Sequence, residues 1–242
     1  MEARESRRAR ADQLRKDQQR AERRRTNLVV ATCLVVGAVI IGLAAYPLVR
    51  PSRSQSQFSG KALDQIGAVA SSAGCQPVTT QDATGGSDRR QEGTAIAYAS
   101  APPASGPHWA VPAPFSRKFY TAQDRPTVPT LVHNLEHGYT ILWYDERVAG
   151  DEQQVADFQA IARFYEKDDG GAGKFIAAPW TRGDGDQFPG RAHVAFSHWS
   201  VGQGGSATQA GVLQYCSRSS GEAVSTFVKQ YPSSDSPEPA AG

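Results

Sequence analysis

Val132 to Tyr139 reads VHNLEHGY, which places His133 and His137 four apart with Glu136 beside the second. On a helix, positions i, i+3 and i+4 share one face, so two imidazoles and a carboxylate would aim at one point. On a strand the two histidines would still share a face, but Glu136 would not. Read literally, H-x-x-E-H is the arrangement of the inverted zinc peptidases, with His133 and His137 as ligands and Glu136 as general base. Gly138 ends the run at once, and the extended segment YTILWY follows, whereas those enzymes set the motif within a longer helix.

A non-hydrolytic metal site suits the residues better. Imidazole is the commonest metal ligand among side chains that titrate near neutral pH. The chain has five histidines. His108, in the loop APPASGPHWAVPAPF, is the first choice as third ligand and His198, in AHVAFSHWSV, the weaker second. Three imidazoles with water or a carboxylate suit tetrahedral zinc or tetragonal copper. The sole methionine is Met1, which argues against a methionine-rich copper(I) carrier. The competing reading is structural. The same histidines can bond the backbone of the proline-rich loop, whose amides and carbonyls have no ladder partners.

The elements that must position these groups follow from pattern. Lys61 to Ala73 has helical spacing, and Thr79 to Glu92 reads as loop. Ile96–Ser100 and Lys118–Thr121 are short strand expectations. Val128 to His137 suits a two-turn helix, with Pro129 at its start and Gly138 at its end. Tyr139–Tyr144, Lys174–Trp180 and Ala192–Val201 read as strands. Alternation in the last puts Val194, Phe196 and His198 on one face, and Ala195, Ser197 and Trp199 on the other. Asp151–Lys167 is a helix opened by an Asp151/Gln154 capping box, and Ser219–Gln230 is another. The tail from residue 232 to 242 reads as disordered. This order predicts an α+β domain with a three- to four-stranded sheet, two to three packed helices and a Pro/Gly-rich loop region.

The N-terminal part points to a membrane. Residues 1–26 form a basic tail, with ten Lys/Arg against five acids in the first 25 residues. Asn27 to Val49 carries no charge over 23 residues, enough for a transmembrane helix. The flanking charges put the N-terminus in the cytoplasm and the rest outside. The expectation is a single-pass signal-anchor protein with a linker at 50–60, an extracytoplasmic domain at 61–231 and the tail beyond. The basic tail would attract anionic lipid headgroups. It holds no aromatic residue to stack bases, so no nucleic-acid partner is expected. Cys75 and Cys216, the two cysteines of the outer part, would form a disulfide in an oxidising compartment.

PPASGPHW (102–109), HNLEHG (133–138) and the following YTILWYD together resemble a bacterial family catalogued as domain of unknown function 3105. The resemblance covers residues 61 to 231 and implies single-pass envelope proteins with a short basic N-terminus. The family's signature positions fall on Pro103, Ser105, Gly106, His108, His133, Glu136, His137, Gly138 and Tyr144. It implies no assigned activity. Three functions stay open: a membrane-anchored domain with a His/Glu divalent-metal site, a scaffold or interaction domain with structural histidines, and a zinc hydrolase.

Overall fold

A computed structural model describes residues 62–241, apart from 85, 87, 167–172 and 203–208. In chain order the strands are β1 (Thr79–Asp82), β2 (Arg89–Arg90), β3 (His108–Trp109), β4 (Thr140–Asp145), β5 (Phe175–Trp180), β6 (Val194–Ser200) and β7 (Ala210–Cys216). The helices are α1 (Val128–Glu136), α2 (Glu146–Ala149), α3 (Glu152–Glu166) and α4 (Gly221–Gln230).

Five strands form one sheet in the order β1-β7-β6-β4-β5. All neighbours are antiparallel except β4 and β5, which run parallel. A parallel pair cannot be joined by a tight turn, and here the crossover contains α2 and α3. Both faces of the sheet are buried, so the strands alternate between two cores. Leu142, Phe175, Phe196 and Val212 face the first, with Phe158 and Ile161 of α3 and Val224 and Phe227 of α4. Ile141, Trp143, Ile176, Ala195, Trp199 and Leu213 face the second, with Leu131, Val132 and Leu135 of α1. Full burial of one such side chain contributes roughly 1.5–3 kcal/mol. The predicted alternation of Val194 and Phe196 against Ala195 and Trp199 therefore holds.

The expected fold class is corrected in two respects. The sheet has five strands, because GVLQYC, read as neither strand nor helix, pairs with β6 along its length and takes β1 as an edge. Among the described residues no helix is long and apolar enough to cross a membrane. The expected spanning segment 27–49, like the basic tail and the linker at 50–60, lies outside the described residues.

Local expectations fared unevenly. The helix expected up to Ala73 is two 3-10 turns, Leu63–Gln65 and Ala70–Ser72. Between them Gly67 adopts φ 74° and packs against the Ser219 carbonyl, where a Cβ would lie 2.6 Å from that oxygen. The loop expected at 79–92 contains β1 and β2. Ile96–Ser100 forms no strand, and Lys118–Thr121 contributes only a bridge from Phe119 to Ala177. Asp151 caps the helix, accepting from the backbone amides of Gln153 and Gln154 and from the Gln154 side chain, but the reciprocal half of a capping box is not made, because the Asp151 amide donates to the Val148 carbonyl. Cys75 and Cys216 are joined at 2.04 Å. The bond ties the 3-10 region to the end of β7.

The C-terminal residues 232–241, expected to be disordered, form an ordered strap. Asp235 accepts from Ser200 and from the Val201 amide, and its carbonyl lies 2.8 Å from His198 Nε2. Lys174 donates to the carbonyls of His137, Pro239 and Ala241. The Glu238 amide donates to the Glu136 carbonyl at 2.9 Å.

Candidate metal centre

The site is built on α1. Thr127 precedes the helix in extended geometry and Pro129 lies in its first turn, where a missing N–H costs nothing. Val128, Leu131, Val132 and Leu135 recur at i, i+3, i+4 and i+7 and bury one stripe. The adjacent stripe is left for His133, Glu136 and His137. A Schellman motif closes the helix: Tyr139 N–H donates to Asn134 O and Gly138 N–H to Leu135 O. Gly138 has φ 88°. A Cβ there would sit 2.3 Å from the Ser233 carbonyl oxygen, so glycine is needed both for the turn and for the strap that passes over it.

His108 arrives from the proline-rich loop through β3. Its register partner on β2 is Arg89, which brings the guanidinium to the same place. The loop is held by Tyr98 Oη to the Pro107 carbonyl and Tyr215 Oη to the Ala101 carbonyl. Asn134 clamps the stretch after His108 with both ends of its amide, accepting from Ala113 N–H at 2.9 Å and donating to Ala113 O at 3.0 Å.

Two imidazoles are oriented alike. His108 Nδ1 lies 2.9 Å from Gly106 O, and His133 Nδ1 lies 2.7 Å from Trp109 O. A carbonyl only accepts, so each Nδ1 carries the proton and each Nε2 of a neutral ring presents a lone pair. Both Nε2 atoms face Glu136 Oε2, at 3.0 Å from His108 and 3.9 Å from His133. Tetrahedral ligands at zinc distances of about 2.0–2.1 Å stand roughly 3.3 Å apart, so the two separations bracket that value. The three groups are buried, and their ligand atoms lie within 4.8 Å of one another. His108 Nε2, Glu136 Oε1 and His137 Nδ1 are buried without a hydrogen-bond partner. Lone pairs facing one another at 3.0 Å repel unless a proton or a cation sits between them. The donor set thus fits a divalent ion on geometry and on the unsatisfied His108 Nε2.

His137 departs from the expected three-ring cluster. Its ring centroid is 4.5 Å from that of His133, which is itself 4.7 Å from His108. Its Nε2 instead faces Glu238 Oε2 at 3.5 Å. His137 belongs to a second group with Glu136 and Glu238. His198 does not join the site: its Nδ1 and Nε2 contact the carbonyls of Tyr139 and Asp235, and it secures the strap.

Arg89 and Glu238 were not anticipated as site residues. Arg89 Nη2 is 3.2 Å from Glu136 Oε2 and 2.7 Å from each oxygen of Glu238. Arg89 sits in a polar stretch with nothing to single it out. Glu238 did carry a signal, because flanking prolines at 237 and 239 stiffen the chain.

The electrostatics favour neutral His133 and His137 rings beside an anion. Burial, reinforced by repulsion from His137 and His108, pulls His133 down to about 4. Burial also lowers His137. Burial opposes ionisation of Glu136, but a proton or other positive charge between His108 Nε2 and Oε2, together with the Arg89 guanidinium, outweighs it and brings the carboxyl down to about 2. So acidic a group is a poor general base at neutral pH. The helix, moreover, ends at Glu136, and His133 and His137 aim at different carboxylate neighbours. The literal peptidase assignment is not supported by this geometry.

No curated protein and no solved structure matches the chain. The model of one family, described as protein of unknown function (DUF3105), matches residues 89–242. The match begins at Arg89 and runs past the expected limit of 231 to take in the strap, so Arg89, His108, α1 and Glu238 all fall within it. On this evidence the chain belongs to the DUF3105 family.

Proposed function

We propose that this domain binds a divalent metal ion through His108 Nε2, His133 Nε2 and Glu136, and that its role is non-hydrolytic. The observation that carries the reading is the shared orientation of the two imidazoles. Each Nδ1–H is committed to a backbone carbonyl and each Nε2 is turned on one buried carboxylate. Metal-ligating histidines are oriented in this way by their second nitrogen. Two imidazoles and a carboxylate suit zinc or another borderline divalent ion, and among the described residues no thiolate or thioether joins the set to favour copper(I). When bound, such an ion supplies Lewis acidity or a structural cross-link. The residues themselves contribute a dry, preoriented donor set. The test is elemental analysis of the untagged full chain. One equivalent of a divalent ion, lost in both His108→Ala and His133→Ala, is expected; an ion-free wild type that refuses added zinc would reject the proposal.

One observation favours a second reading. Arg89 already pairs with both Glu136 and Glu238, so the cluster can serve as a polar lock joining the proline-rich loop, α1 and the strap. On that reading His108→Asn and His133→Asn lower stability, and added zinc leaves the melting temperature of the wild type unchanged. The Cys75–Cys216 bond supports a location in an oxidising compartment, which we propose for the domain.

A further inference from the structure

We infer that Glu238, carried in by the C-terminal strap, is a further ligand of this centre, and that Arg89 is the cation a metal ion must displace to reach it. The inference rests on the metal reading above. Both carboxylates converge on one guanidinium nitrogen: Arg89 Nη2 contacts Glu136 Oε2 and both oxygens of Glu238. The donors around that nitrogen, Glu136, Glu238 and His137, lie within 4.8 Å of one another, and this group is joined to His108 and His133 through the shared Glu136. A guanidinium and a divalent ion therefore compete for the same oxygens, and the ion brings twice the charge.

The neighbours differ in their freedom to move. The Arg89 side chain is 42% exposed, whereas Glu136 is fully buried. Arg89 can withdraw into water; Glu136 cannot. The Glu238 backbone does not depend on Arg89 for its place. Its amide is bonded to the Glu136 carbonyl, and the strap on either side is held by Lys174 and by the partners of Asp235. With the guanidinium gone, His137 Nε2, 3.5 Å from Glu238 Oε2, remains as a neighbour of that carboxylate. The strap thus closes the centre and contributes to it.

The test is a cobalt(II) titration of the full chain, followed by calorimetry and by the visible d–d bands that report coordination. Arg89→Met is expected to bind cobalt about tenfold more tightly than wild type, and Glu238→Gln about tenfold more weakly with altered bands. Arg89→Lys keeps the charge and is expected near the wild-type value, which separates charge competition from loss of fold. Thermal melts of each variant verify folding. Equal or weaker binding by Arg89→Met overturns the displaced-cation role. Unchanged affinity and bands in Glu238→Gln overturn the ligand role. Cobalt binding that is indifferent to His133→Ala would instead refute the centre itself.

Discussion

Acidification of the metal-free domain should destabilise it through His133, by an amount that can be worked out. Burial and neighbouring rings lower this histidine from the ordinary 6.5 to about 4. In the unfolded chain it takes up a proton as pH falls through 6.5; in the folded chain it resists until about 4. The unfolded state therefore binds more protons between those values, and stability falls as pH falls. At 1.36 kcal/mol per unit, the loss between pH 7 and pH 4 is about 3 kcal/mol, a large share of a typical domain's 5–15 kcal/mol. The assay is urea denaturation at pH 7, 5.5 and 4.5 with a chelator present, comparing wild type with His133→Gln. Glutamine can still donate to Trp109 O but cannot titrate. Wild type should lose roughly 2.4 kcal/mol more than the variant between pH 7 and 4.5. Parallel pH profiles would refute the claim that His133 is held neutral by its surroundings.

Other outcomes follow from the same geometry. Gly138→Ala should cost about 2 kcal/mol, since φ 88° and the Ser233 carbonyl oppose a Cβ; proteolysis near the C-terminus should become faster as the strap lifts. Asn134→Ala leaves the buried Ala113 N–H and C=O without partners and should lose about 2–4 kcal/mol by chemical denaturation. Reduction of Cys75–Cys216 opens a loop with a sequence separation of 141; the chain-entropy limit is about 5 kcal/mol, read as a lower urea midpoint in dithiothreitol. Acid below pH 4.5 should remove further stability as Glu136, held at about 2, is protonated in the unfolded chain first; Glu136→Gln should blunt that part of the profile.

The site was legible where chemistry and local pattern coincide. His133 and Glu136 share a helix face because helical periodicity and the Pro129/Gly138 boundaries already dictate it, and β4 to β6 announce themselves by apolar runs. His108 could be nominated because a histidine in a proline-stiffened loop must be held somewhere. Its actual approach depends on the pairing of β2 with β3, two residues each, and no periodicity reveals so short a ribbon. Arg89 was invisible for the same reason. β7 was missed because Gln214 breaks the apolar run of GVLQYC and the pairing with β6 decides its conformation. The strap was misread on composition: serine, proline and alanine suggest disorder, but a few long-range bonds from Lys174, Ser200 and His198 fix it. His137 illustrates a subtler limit, since sequence placed it on the right face and only the position of Glu238 decides which carboxylate it meets.

The central claim is tested most directly by anomalous diffraction at the zinc edge from crystals of the full chain grown with zinc. The account predicts a peak about 2.0–2.2 Å from His108 Nε2, His133 Nε2 and a Glu136 oxygen, with the Arg89 guanidinium moved away from Glu136. No peak among these residues, with Arg89 still bridging Glu136 and Glu238, would contradict it.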